Sequence, residues 1–160
     1  MIPKLTDTEV IAWFSNPDYQ RRGIGLLITG GSRHERSAIA NTILRQREEA
    51  GQSCLSLTPF EVVAAHHFGQ TNRLRREDVV LINDLGELSQ AEQVAVDVIK
   101  PVFDVAWTME YILQQRCGHG RTTLVTTEHD LSELETMFSE RLAYQLRYMG
   151  FSIRLDGEDG

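Results

Sequence analysis

Five short apolar runs recur along the chain, each parted from the next by a stretch of helical periodicity, and this alternation limits the fold more than any other feature. The runs are "IGLLIT" (24–29), "SCLSL" (53–57), "VVLIN" (79–83), "TTLVTT" (122–127) and "FSIRL" (151–155). Runs this short and this apolar read as strands buried on both faces, the kind found in parallel sheets. From 36 to 51 the period turns helical, with Ile39, Ala40, Ile43 and Leu44 on one face and Arg45, Arg47, Glu48 and Glu49 on the other, and Gly51 as the stop. Thr58-Pro59-Phe60-Glu61 carries an N-cap, a first-turn proline and a capping-box glutamate, so a helix should run from there to about residue 68, followed by a polar, arginine-containing connection. Ser89-Gln90-Ala91-Glu92 opens a long apolar helix toward Arg116, broken or kinked at Pro101. Asp130-Leu131-Ser132-Glu133 caps a helix carrying Leu134, Met137, Phe138, Leu142 and Leu146. Strands separated by helices make an α/β sandwich around a five-stranded, mainly parallel sheet. Residues 1–20 are expected to form an arm or short helix, 21–156 the single domain and 157–160 an acidic tail.

Composition bounds the function. At 160 residues the chain suits one domain with one good core. No apolar run approaches the roughly 20 residues that span a bilayer, and Cys54 and Cys117 stand far apart without a CxxC, so reduced thiols in a cytoplasmic, non-membrane protein are expected. Cys54, on a strand, reads as an inert core thiol. The net charge of −7 argues against a surface with general affinity for nucleic acid, though local basic strips remain at Arg21–Arg22 and at Arg73, Arg75 and Arg76. The latter three are the DNA-binding candidates, with a solvated loop as the plainer reading. Trp13, Trp107, Tyr111 and Tyr148 are expected to be packing residues, and the spacing of His66, His67 and His129 matches no metal cluster.

In a parallel sheet, ligands gather at the carboxyl ends of the strands. Three segments meet that condition: "TGGSRHERS" after the first strand, "INDLG" after the third and "TTEHD" after the fourth. The first stands where a phosphate-cradling P-loop, Gly-x-x-x-x-Gly-Lys-Ser/Thr, would stand, with Gly30 and Ser37 in place but Glu35 for the second glycine and Arg36 for the lysine. Taken alone, "GGSRHERS" reads equally as a glycine turn and a helix start, and Asn83–Asp84 as a strand end capping a loop. Taken together, the three segments favour a nucleotide-type site.

With these segments in order, and with "SERLAYQLR" following the fourth strand, residues 20–156 resemble the DnaC/IstB-type AAA+ ATPases, the family of bacterial helicase loaders and transposition helper proteins. The resemblance implies a three-layer P-loop sandwich of the AAA+/ASCE kind. It places the nucleotide loop on Gly30, Gly31, Ser32, Arg33, His34, Glu35, Arg36 and Ser37. The metal positions fall on Ser37 and Asn83, the water-activating carboxylate on Asp84, and the sensor on Thr127. The arginine finger falls on Gln145, between Arg141 and Arg147.

These positions depart from the family pattern in one direction. A carboxylate at Glu35 about 4 Å from a phosphate would repel it by about 4 kcal/mol at an effective dielectric near 20. Arg36 keeps the charge without the compact ammonium, Asn83 removes a charge from the metal site, and Asp84 is one methylene short of the usual glutamate. Gln145 lacks a charge that elsewhere contributes about 10³–10⁵ in rate. ATP or ADP with Mg²⁺ is therefore expected to bind weakly or not at all, with hydrolysis lost or very weak. The expected function is a helicase-loader-type adaptor in DNA replication, binding a replicative helicase or another AAA+/RecA-like ATPase. The alternatives are a catalytically dead module that inhibits an ATPase ring, an IstB-like transposition helper that touches DNA (single-stranded DNA included), and a working ATPase with an unusual loop. Self-association is a further expectation.

Overall fold

The computed structural model describes residues 23–87 and 105–155. The strands are β1 (Gly25–Gly30), β2 (Cys54–Leu57), β3 (Val79–Ile82), β4 (Thr122–Thr126) and β5 (Gly150–Leu155). They form one sheet in the order β2-β3-β4-β1-β5, and every pairing is parallel. β3 and β4 are buried along their whole length and β1 nearly so, whereas the edge strands β2 and β5 are partly exposed. Burial on both faces explains why the central strands show no polar alternation.

Alternate side chains feed two cores. On one face Leu26, Ile28, Leu81, Leu124 and Ile153 pack on α1 (Arg33–Glu49) through Ile39, Ala40, Ile43 and Leu44. On the other, Leu27, Val80, Ile82 and Val125 meet α2 (Pro59–His67), α3 (Thr71–Arg76), α4 (Val105–Gly118), α5 (Leu131–Met137) and α6 (Glu140–Tyr148). The result is the three-layer sandwich, with an all-parallel sheet. The helix after β1 and the helices after β4 leave on opposite faces, which opens a crevice at the carboxyl ends of these neighbouring strands.

Several expectations need correction. The connection holding Arg73, Arg75 and Arg76 is the short helix α3, ordered because Leu74 is buried in the core. The segment after Asp130 is two helices, not one: Phe138 leaves the helical region and Ser139 caps α6, its Oγ accepting from Leu142 N at 3.0 Å. Trp107 and Tyr148 are exposed rather than core residues, at 52% and 65%. Each packs on the neighbour one helical turn away, Trp107 stacked on Tyr111 and Tyr148 tilted against Tyr144. Cys54 is half-buried, its thiol donating to Leu44 and Gln52 carbonyls, and burial pushes it up to about 11, which keeps it inert near neutral pH. The Ser89 capping box, Pro101, Trp13, Arg21–Arg22, the arm and the acidic tail lie outside the described residues.

At the amino end of the sheet, Arg116 is fully buried, with Glu77 and Asp78 near enough to favour its charge. Its guanidinium donates to the carbonyls of Leu74, Glu77, Asp78 and Thr122 and to Thr123 Oγ1. One side chain thereby caps α3 and binds the starts of β3 and β4. Burial lowers it to about 10, so it stays charged at neutral pH.

Candidate functional site

Gly30 and Gly31 both have positive φ, +73° and +59°, and a Cβ at Gly30 would lie 2.5 Å from the Leu155 carbonyl oxygen. Only glycine turns the chain this tightly beside β5. α1 then begins at Arg33, three residues before the expected start, so Arg33, His34 and Glu35 form a helical turn. The cause is a capping box. Ser32 Oγ accepts from Glu35 N at 3.1 Å, and Glu35 Oε1 accepts from Ser32 N at 3.1 Å. Glu35 thus faces the loop backbone and occupies the Ser32 N–H. Arg36 is likewise turned inward. It is 3% exposed, and Nη1 donates to the carbonyls of Gly30 and Gly31 at 2.9 and 3.0 Å.

The other candidate residues converge on the same place. Ser37 Oγ and Thr126 Oγ1 both donate to Asn83 Oδ1, at 3.5 and 2.6 Å. Thr126 Oγ1 accepts from Asp84 N at 2.9 Å. Thr127, fully buried, donates to the Leu85 carbonyl at 2.7 Å and accepts from His129 N at 3.2 Å. Asp84 is the one non-glycine residue with positive φ among the described residues, at 60°, a region that aspartate tolerates better than most.

Asp84 is closed off by a residue that the P-loop reading treats as mere loop. Arg33 Nε and Nη2 lie 2.9 and 2.8 Å from Asp84 Oδ2, and Nη1 lies 3.8 Å from Glu87. The Asp84 side chain is 7% exposed and that of Arg33 68%. Burial, Asp84 and Glu128 push the Glu87 carboxyl up, against the pull of Arg33. Asp84 Oδ1 and Arg36 Nε have no hydrogen-bond partner among the described residues. No group of three or more His, Cys, Asp or Glu side chains among these residues is arranged to hold a metal ion.

Two sets of candidates stay apart from this site. Arg73, Arg75 and Arg76 lie on α3 just before β3, at the amino end of the sheet; Arg73 is 3.8 Å from Glu77, and Arg75 bonds Asn72. Gln145, at the arginine-finger position, is turned into the protein, its Nε2 donating to the Glu110 carbonyl at 3.2 Å. Arg141 and Arg147 are exposed on α6 beside Tyr144.

No protein-family model matches this chain, and no curated protein sequence does. Its fold, however, matches solved structures. The DnaC helicase loader superposes with a TM-score of 0.73 at 16% identity, over 98% of this chain and 94% of that one. DnaI superposes at 0.69 and 16%, over 96% and 79%. The replication initiator DnaA, bound to AMPPCP and single-stranded DNA, superposes at 0.70 and 13%, and there this chain spans 45% of the initiator. The chain therefore has the α/β fold of these DnaC, DnaI and DnaA structures, as its motif order led one to expect. Among the described residues no helix is long and apolar enough to cross a membrane.

Proposed function

We propose that this chain is a helicase-loader-type adaptor of DNA replication, one that binds a replicative helicase or a related RecA-like ATPase and turns over little or no ATP. The observation that carries the reading is the fold match with the DnaC helicase loader, at a TM-score of 0.73, and with DnaI, at 0.69. The inward Gln145 supports the absence of turnover, since an amide bonded to a helix carbonyl offers no charge to a neighbour's phosphate. A bacterial cytoplasm is the setting that this task implies.

Purified chain mixed with a purified hexameric replicative helicase should co-elute with it in size-exclusion chromatography, and steady-state ATP hydrolysis by the chain alone should equal the buffer blank. A chain that elutes alone in both the presence and absence of ATP would remove the adaptor reading. A second reading, an inhibitor of an ATPase ring, is favoured by the same Gln145 geometry. It predicts that the chain lowers the helicase's own ATPase rate instead of assisting its assembly on DNA.

A further inference from the structure

We propose that Arg33 is a resident cation of this site, standing in for the metal ion and thereby closing the site to a metal–nucleotide complex. The inference deepens the reading of weak or absent turnover and is independent of which protein the chain binds. Three observations carry it.

The first is the early start of α1. Because the Ser32–Glu35 box begins the helix at Arg33, a residue that would ride in the bend of a phosphate loop is instead fixed in a first helical turn. From there its guanidinium reaches across the crevice to Asp84 with two nitrogens and approaches Glu87 with the third. The second is charge. Burial, and then Asp84 and Glu128 close by, push the Glu87 carboxyl up, and Arg33 is the cation that opposes them there, at 3.8 Å from Glu87 and 2.8 Å from Asp84. A buried carboxylate without a cation is expensive, and a guanidinium satisfies it without the open coordination positions that a metal would present to phosphate oxygens.

The third is the fate of the remaining donors. A triphosphate needs loop N–H groups and a free cationic side chain. Here Glu35 N and Ser32 N are bonded within the capping box, and the Arg36 guanidinium is bonded to the Gly30 and Gly31 carbonyls. As folded, these residues do not fit a triphosphate and its metal.

The test uses the full chain with Mn²⁺ as the metal probe, read by electron paramagnetic resonance, and a fluorescent ADP analogue with Mg²⁺ read by anisotropy. Wild type should bind neither saturably. Arg33→Ala leaves Asp84 and Glu87 without their guanidinium, so its Mn²⁺ affinity should exceed that of wild type by about tenfold or more, since about 1.4 kcal/mol suffices for that factor. The gain should vanish in Arg33→Ala/Asp84→Asn, and Arg33→Lys, which keeps a cation on Asp84, should behave as wild type. Arg33 is largely exposed, so these variants should fold, which circular dichroism checks. Equal Mn²⁺ affinity in wild type and Arg33→Ala overturns the proposal. So does saturable binding of the Mg²⁺–ADP analogue by wild type, a result that would leave helicase binding untouched.

Discussion

The two ends of the sheet hold their arginines in opposite ways. At the amino end, Arg116 is fully buried and its five hydrogen bonds go to four carbonyls and a hydroxyl. At the carboxyl end, Arg33 and Arg36 serve a crevice in which Asp84 sits at positive φ, and Arg36 Nε and Asp84 Oδ1 have no hydrogen-bond partner among the described residues. The amino-end cluster is a closed structural joint: its donors are matched, and it links a helix end to two strand starts. The carboxyl-end cluster keeps a positive φ and, among the described residues, unmatched polar atoms at the end of the sheet where parallel α/β sheets gather ligands. A non-glycine residue in that region costs about 1–3 kcal/mol, at the low end for aspartate, and such residues cluster at functional positions.

The sharpest way to break the comparison is at Arg116. Arg116→Leu strands the buried carbonyls of Leu74 and Thr122 at once, and should cost about 3–5 kcal/mol of unfolding free energy in a urea titration. A loss below about 1 kcal/mol would mean that the joint is solvated and the contrast between the two ends is wrong. Next comes Gly30→Ala, which forces a Cβ toward the Leu155 carbonyl at positive φ; about 2 kcal/mol is expected by the same titration. Ser32→Ala removes one side of the capping box and should cost about 1 kcal/mol. It should also speed amide exchange at Glu35, and unchanged exchange there would show that the box does not hold the start of α1.

Smaller still is the ion pair. Because the Arg33 side chain is 68% exposed, its pair with Asp84 should yield a double-mutant coupling of about 0.5–1 kcal/mol, reduced in high salt. The smallest effect concerns His66, near the amino end, where its ring lies 5.6 Å from both Trp107 and Tyr111 and its Nδ1 meets Thr71 Oγ1 at 2.7 Å. Burial and then His67 lower its pKa from the ordinary 6.5. The unfolded chain therefore takes up this proton first, so stability from this group is intact above pH 6.5 and falls as pH drops below it. His66→Gln should flatten the thermal midpoint over that window, and an unchanged slope would remove His66 as its source.

Much of the fold was legible because it depends on local pattern. Short unbroken apolar runs gave the strands to within a residue or two, and the boxes at Thr58 and Asp130 marked two helix starts correctly. The box at Ser32 has the same S-x-x-E spelling, yet reading the segment as a P-loop passes over it; a local hydrogen-bonding signal competes there with a longer motif. The break at Ser139 was harder, since Leu134, Phe138, Leu142 and Leu146 keep one helical stripe across it. Trp107 and Tyr148 misled for another reason: an aromatic residue at helical spacing can stack on its own helix and stay in water.

The sequence by itself determined the alternation of strands and helices, the three segments that meet at the carboxyl ends, and the residue types at each nucleotide-type position. Only the tertiary structure decided where those side chains point. That Arg33 closes on Asp84, that Arg36 turns back to the loop carbonyls, and that Gln145 faces Glu110 are contacts between parts of the chain 51, 6 and 35 residues apart. Local periodicity carries no information about which partner a long polar side chain will find. That choice follows from the crevice the packed sheet creates, where desolvation makes an unpaired charge costly and the nearest opposite charge or carbonyl claims it.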